Sequence, residues 1–345
     1  MKRNQRRLSL QPVRSGVSLL EVMVAIGVTS IGLLGVLALI PLAGAQVRHG
    51  QVLERSIVIG ESALSEMRTR GWLNAENWVN STTGQAAINL ATEPPRAFCL
   101  DPRGVADGLS GAFFPTNATA NMGRITVWNR RAGTTPPNNT ADLNRLPSKE
   151  LADFLCQSQD DLSVESTTRD RTLPAYQLWA PQDTQTSPTA SATRRQFSGS
   201  MSWMATIVPH GDSLYRVSVA VFSQRVPGEE VTATVNFLSG GIAGGDVELQ
   251  FATASDELKI AEGSWVFLSG RMQVSQNSYQ PVFHWYRVLM SDRDPTDKTK
   301  FYATLAGPDW DPRAQNVQAT IIPGTVNVYE RIMPLELSNL WGTPN

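Results

Sequence analysis

Glu21 is the side chain in this sequence whose position most needs a chemical explanation. The residues that follow it, 22–45, carry no charge and only Thr29 and Ser30 as polar interruptions, so Glu21 is a carboxylate at the lip of an apolar run. At the centre of a membrane helix an acid costs about 2.5–3.5 kcal/mol, and acids within such segments usually mark a function and have a cationic partner. Other constellations are poorer in chemistry. His49, His210 and His284 are far apart, and Cys99 and Cys156 lie in no CxxC or Cys/His ligand spacing. Asp292-x-Asp294-x-x-Asp297 invites a calcium-loop reading, but an EF-hand needs Gly at the sixth place and Glu at the twelfth, where this chain has Asp297 and Ala303. No GxSxG, HExxH or phosphate-loop spacing is present. The expectation is therefore a protein that is not an enzyme and that holds no metal and no cofactor.

The elements that must position Glu21 follow from the same stretch. An apolar segment of this length, at 1.5 Å rise per residue, is long enough as a helix to cross a bilayer core. Lys2, Arg3, Arg6, Arg7 and Arg14 precede it with no acid among them. Basic flanks are retained on the cytoplasmic side, so the N-terminus is expected inside and the body outside. Beyond Gln46 the helical pattern continues, with Gly50, Leu53, Ile57, Gly60, Leu64 and Met67 spaced by three and four into a stripe, and Gly71 is placed to end it. Pro41 and Gly44 are the expected kink sites.

The junction Arg14-Ser15-Gly16-Val17-Ser18-Leu19-Leu20-Glu21-Val22 resembles the class III signal of type IV prepilins: a basic leader, Gly, an apolar first mature residue and Glu at its fifth place, followed by an apolar helix. Val17 departs from the Phe or Met usual in the family. The resemblance implies cleavage between Gly16 and Val17 by a membrane-embedded prepilin peptidase, N-methylation of the new Val17 amine, and pairing of Glu21 with the freed amine of a neighbouring subunit. Three plainer readings attach to the same residues. Ser18-x-x-Glu21 matches a helix capping box. Leu42-Ala43-Gly44-Ala45-Gln46 contains a secretory-type cleavage site, although the apolar stretch is longer than the usual 7–15-residue signal core. An uncleaved anchor is the third.

The remainder reads as β-rich. After the basic leader the chain is acidic on balance within a net charge of −1, which argues against a nucleic-acid partner. Residues 72–199 are rich in Asn, Thr, Pro and Ser, as in 134–140 and 182–193, and predict long loops with one short helix at 148–156 capped by Ser148. Residues 201–208, 215–221 and 231–237 follow as strands, the last two alternating apolar and polar, and predict an antiparallel meander on which the long helix would lie. Ser239-Gly240-Gly241-Ile242-Ala243-Gly244-Gly245 reads as a flexible linker. Six strand-like runs at 247–251, 265–269, 282–289, 301–305, 317–322 and 325–331 then predict a small barrel or sandwich. Trp265, Trp285, Tyr286, Trp310 and Trp341 are expected mostly in its core.

The expected organisation is thus α+β: a leader at 1–16, a helix at 17–70 with its membrane half at 22–45, a pilin-like domain with long loops at 71–238, a linker at 239–245, and an all-β C-terminal domain at 246–345. Cys99 and Cys156 could pair in an oxidising compartment. The family resemblance implies a minor pilin or pseudopilin of a type IV pilus or type II secretion system, a single-pass protein of the bacterial inner membrane. Its partners would be the prepilin peptidase/methyltransferase and other pilin subunits. The alternatives are a membrane-anchored or secreted β-rich binding module that never polymerises and, last, an extracytoplasmic hydrolase with an unrecognised site.

Overall fold

The computed structural model describes residues 18–88, 95–107, 113–116, 118–128, 138–147, 149–156, 162–165, 194–197, 201–211, 214–239, 241–253, 260–276 and 278–335. The basic leader with Gly16 and Val17, the loops at 134–137 and 182–193, Ser148 and Trp341 lie outside these residues. The chain divides into two compact units, one ending at Gln51 and the other beginning at Val52.

The first unit is the N-terminal part of helix α1 (Leu19–Thr69), which runs without a break through Pro41. Its first turn is closed by the Val22 N–H donating to the Ser18 carbonyl at 3.2 Å. Its large apolar side chains point into solvent, as at Leu19 (80% exposed) and Ile31 (73%), which is the reverse of a core helix. The Thr29 hydroxyl donates to the Ala25 carbonyl at 2.7 Å and so hides its polarity against the backbone. This helix has the length and composition to cross a membrane.

In the second unit α1 lies on a sheet. Its buried positions are Ser56, Ile59, Gly60, Ala63, Leu64 and Met67, while Leu53 and Ile57, expected in the stripe, face outward. The stripe is set by Gly60, where a Cβ would stand 2.1 Å from the ring of Tyr329, so only glycine lets helix and strand approach this closely. Gly71 ends the helix in a left-handed conformation (φ 66°), and the Trp72 N–H returns to the Met67 carbonyl at 2.8 Å.

The strands in chain order are β1 (Trp78–Asn80), β2 (Phe98–Leu100), β3 (Phe113–Phe114), β4 (Met122–Val127), β5 (Leu162–Glu165), β6 (Arg194–Phe197), β7 (Met201–Pro209), β8 (Leu214–Ser223), β9 (Val231–Phe237), β10 (Gly244–Phe251), β11 (Trp265–Ser275), β12 (Ser278–Arg293), β13 (Lys300–Ala306), β14 (Ala314–Ile321) and β15 (Thr325–Pro334). Two short helices, α2 (Pro102–Ala106) and α3 (Lys149–Cys156), complete the described elements used below. One sheet has the order β1-β4-β2-β7-β8-β15 with β3 on β4; β2 and β4 run parallel and its other pairs antiparallel. Strands β9 to β14 close into a six-stranded antiparallel barrel, and β5 pairs with β6 in a two-stranded sheet.

The expected three-strand meander is not formed. Residues 201–209 and 214–223 do make the β7–β8 hairpin, but 231–237 leaves the sheet for the barrel, and β15 takes its place beside β8. The expected boundary at 238 and the separate C-terminal domain are corrected in the same way. The barrel is an insertion between β8 and β15, and the chain returns from it to the sheet. Nor are residues 239–245 an interdomain linker: they connect β9 to β10, neighbours paired through Phe237 and Val247 inside the barrel. Within the barrel β11, β12 and β13 are successive hairpin partners and β14 returns beside β11, a Greek-key path.

Side-chain alternation explains the layering of this unit. On β8, Tyr215, Val217, Val219 and Val221 join Ile59, Leu64 and Met67 of the helix and Trp203 and Ile207 of β7 in one core. The opposite face of the same strands, with Met204, Ala220 and Phe222, packs on Phe267, Phe283 and Trp285 from the outside of the barrel. The barrel interior holds a third core, including Val247, Leu249, Val266, Tyr286, Val288 and Leu305. Trp285, Tyr286 and Trp310 are buried as expected.

Candidate assembly surface and the sheet–barrel junction

Glu21 sits in the first turn of α1, where the unpaired N–H groups of a helix start favour a carboxylate. Among the described residues it has no ion-pair partner, and its side chain makes no return bond to Ser18, so a capping box is not formed there. Around it Val22, Ala25 and Ile26 are solvent-exposed, as are the other apolar side chains described up to Ile40. Gly16 and Val17, expected to be the processing and N-methylation positions, lie outside the described residues.

A second constellation, which sequence reasoning missed, holds the barrel to the sheet. Asp101 caps α2 by accepting the Gly104 N–H at 3.0 Å. It also takes two bonds from Arg225, at 2.8 and 2.7 Å, and a short one from Arg124 Nη1. Arg124 Nη2 continues to Glu230 at 2.9 Å. The side chains of Asp101 and Arg124 have no solvent exposure, and those of Arg225 and Glu230 almost none. Two acids and two bases therefore neutralise each other inside the protein, as buried charges require. Burial alone would raise the Asp101 carboxyl; the Arg225 charge and its hydrogen bonds, with Arg124, overcome it and hold the group well below the usual carboxylate range.

The location explains the need for such a cluster. Arg225 and Glu230 belong to the segment that carries the chain from β8 into the barrel, while Arg124 belongs to β4 of the sheet and Asp101 directly follows β2. The return crossing lies alongside, with the Ser223 N–H donating to the Gly324 carbonyl at 2.7 Å. Gly324 has φ 82°, and a Cβ there would stand 2.3 Å from the Ser223 oxygen. The cluster fixes the point where both strands of the neck pass. A further tie is the indole N–H of Trp285, on the barrel, donating to Thr206 on β7 at 3.1 Å.

Cys99 and Cys156 are free and buried, so the bridge they could have formed is absent from the structure. Alternation on β2 is the reason. Phe98 and Leu100 face the helix-side core that contains Cys156, whereas Cys99 faces the barrel-side core. Burial pushes both thiols up, which makes them unreactive at neutral pH. The acidic turn is a local device: Asp294 accepts from the Thr296 N–H and hydroxyl at 2.7 and 2.6 Å, and Asp297 accepts from the same groups of Thr299 at 3.0 and 2.5 Å. The Thr296 hydroxyl and backbone bonds pull Asp294 down to about 2. Compared with known proteins, the chain matches no family model and no curated protein.

Proposed function

We infer that this chain is a structural subunit, a minor pilin or pseudopilin of a type IV pilus or type II secretion system, cleaved between Gly16 and Val17 and assembled through the apolar part of α1. The observation that carries the reading is the exposed apolar helix with a single carboxylate, Glu21, in its first turn and without a partner among the described residues. Such a surface is compatible with lipid while the subunit waits in the membrane and with other apolar helices once it is polymerised. The carboxylate then needs a cation, and the Val17 amine of an adjoining subunit, freed by prepilin peptidase, supplies one in a low-dielectric setting where losing either partner is costly. The basic leader orients the N-terminus to the cytoplasm and the body outward from the inner membrane. A barrel inserted into the sheet makes the body bulky, which suits a minor subunit present in few copies better than the repeating one.

The test is Glu21→Ala, followed by fractionation and by pull-down of sheared filaments. Membrane insertion is expected to be unchanged, because an apolar residue only lowers its cost. Incorporation is expected to fall at least about tenfold, the effect of a 1.4 kcal/mol loss and less than a buried pair supplies. Incorporation equal to wild type would remove the pairing and, with it, the reason for assigning assembly to this helix.

A further inference from the structure

At the seam between sheet and barrel one cation, Arg216, forms no ion pair among the described residues. Arg216 on β8 shares the barrel-facing side of the strand with Ser218, Ala220 and Phe222, and it is half-buried. Among the described residues no carboxylate lies within ion-pair distance of it. Its guanidinium instead meets two imidazoles. Nη1 is in short contact with Nδ1 of His284 on β12, and Nη2 lies 3.4 Å from Nδ1 of His210, in the turn after β7. A guanidinium can only donate, so both Nδ1 atoms must accept and both imidazoles are neutral with the proton on Nε2. Two of the five guanidinium N–H groups are then used and three remain.

One further donor stands beside the imidazoles. The His284 ring stands edge-on to Trp310 with centroids 5.9 Å apart, and the buried Trp310 indole N–H has no acceptor among the described residues. Two acids stand nearby without pairing with Arg216: Glu330 accepts the Ser218 hydroxyl at 2.7 Å, and Asp309 accepts the Ala243 N–H at 2.7 Å. Tyr286, which also faces this group, donates its hydroxyl to the Pro308 carbonyl at 2.8 Å. Asp212, two residues after His210 in the sequence, lies outside the described residues. Burial first, then the Arg216 charge, presses the His284 imidazole down to about 4.

We propose that Arg216, His210 and His284 form a binding niche for a small oxyanion, a phosphate or a carboxylate, at the seam between the sheet and the inserted barrel. The oxyanion brings the missing negative charge and takes the free guanidinium donors in the paired geometry that arginine offers to phosphate and carboxylate. A site that joins sheet to barrel would let an anion strengthen the docking of the insertion. The proposal stands independently of the assembly reading.

The experiment is a titration of the full-length protein in detergent with inorganic phosphate and, separately, with acetate, at neutral pH, where the imidazoles are neutral. It follows the imidazole resonances of His210 and His284, with His210→Gln, His284→Gln and Arg216→Gln as variants. Saturable shifts of both rings, weakened at least about fivefold in Arg216→Gln and His210→Gln, are expected. His210 is exposed, so its variant tests the niche without risk to the fold. Saturation by phosphate alone identifies a phosphate site, and saturation by acetate as well identifies one that an acidic side chain of a partner can fill. No saturable shift with either anion overturns the proposal. So does binding that appears only in Asp212→Asn, because the Asp212 carboxylate then fills the niche.

Discussion

Replacing Arg225 with methionine takes one cation out of the buried cluster at the neck of the barrel and leaves Asp101 and Glu230 to share Arg124. Arg225 gives Asp101 two hydrogen bonds, at 2.8 and 2.7 Å, from a side chain that is 1% exposed. Its guanidinium also lies 4.8 Å from the ring centroid of Phe222, a packing contact that the methionine stem partly keeps. Removing one partner of such a pair costs about 3–5 kcal/mol, most of it from the uncompensated charge left behind. In the double variant Asp101→Asn with Arg225→Met, the Arg124–Glu230 pair at 2.9 Å remains and the cluster is neutral again. The loss there should be only about 1–2 kcal/mol, the value of the missing hydrogen bonds. Urea unfolding of the full-length protein in detergent, followed by tryptophan fluorescence, gives both numbers from the midpoint and slope. Acid sharpens the test. Because the Asp101 carboxyl is held below its ordinary range, its contribution is fully present above about pH 4 and is lost as the pH falls further toward its folded-state value. The double variant should lack that component. A single-variant loss under about 1 kcal/mol, or a double-variant loss equal to the sum of the two singles, would refute the clamp.

Two further outcomes follow from packing. Gly60→Ala places a Cβ 2.1 Å from the Tyr329 ring and should destabilise by about 1–3 kcal/mol, whereas Gly50→Ala meets nothing within 4 Å and should be neutral or stabilising by up to about 1 kcal/mol; urea midpoints compare them directly. Both Cys99 and Cys156 should resist a thiol reagent in the native protein and react on unfolding without prior reduction, and a requirement for reductant would show that they are paired after all.

The long helix and the strands were legible because period is a local property. Residues 201–209 and 214–223 alternate or run apolar for their length, and each of the six runs proposed after residue 246 falls largely within a strand, β10 to β15. Partnership was not legible. Alternation says which side chains share a face, but not which neighbour a strand takes, so nothing in 231–237 announced that it leaves the sheet or in 325–334 that it returns. The helix stripe was misplaced because apolar type alone favoured Leu53 and Ile57. Burial is decided by the close approach at Gly60, which the sequence records only as one glycine among many. The ionic cluster joins Asp101 to Arg225 across 124 positions, beyond any local signal. The one clue was Arg124 itself, a charge in the strand Met122–Val127 at a place that alternation reserves for a buried side chain.

The assembly reading depends on where the mature chain begins. N-terminal sequencing or mass analysis of the protein recovered from membranes reads this without any assumption about partners. A chain starting at Val17, with its amine methylated, is the predicted result, since only that cleavage creates a cation able to neutralise Glu21 of a neighbour. A chain starting at Met1 or at Gln46 would contradict it, leaving either an uncleaved anchor or a secreted body without the exposed helix.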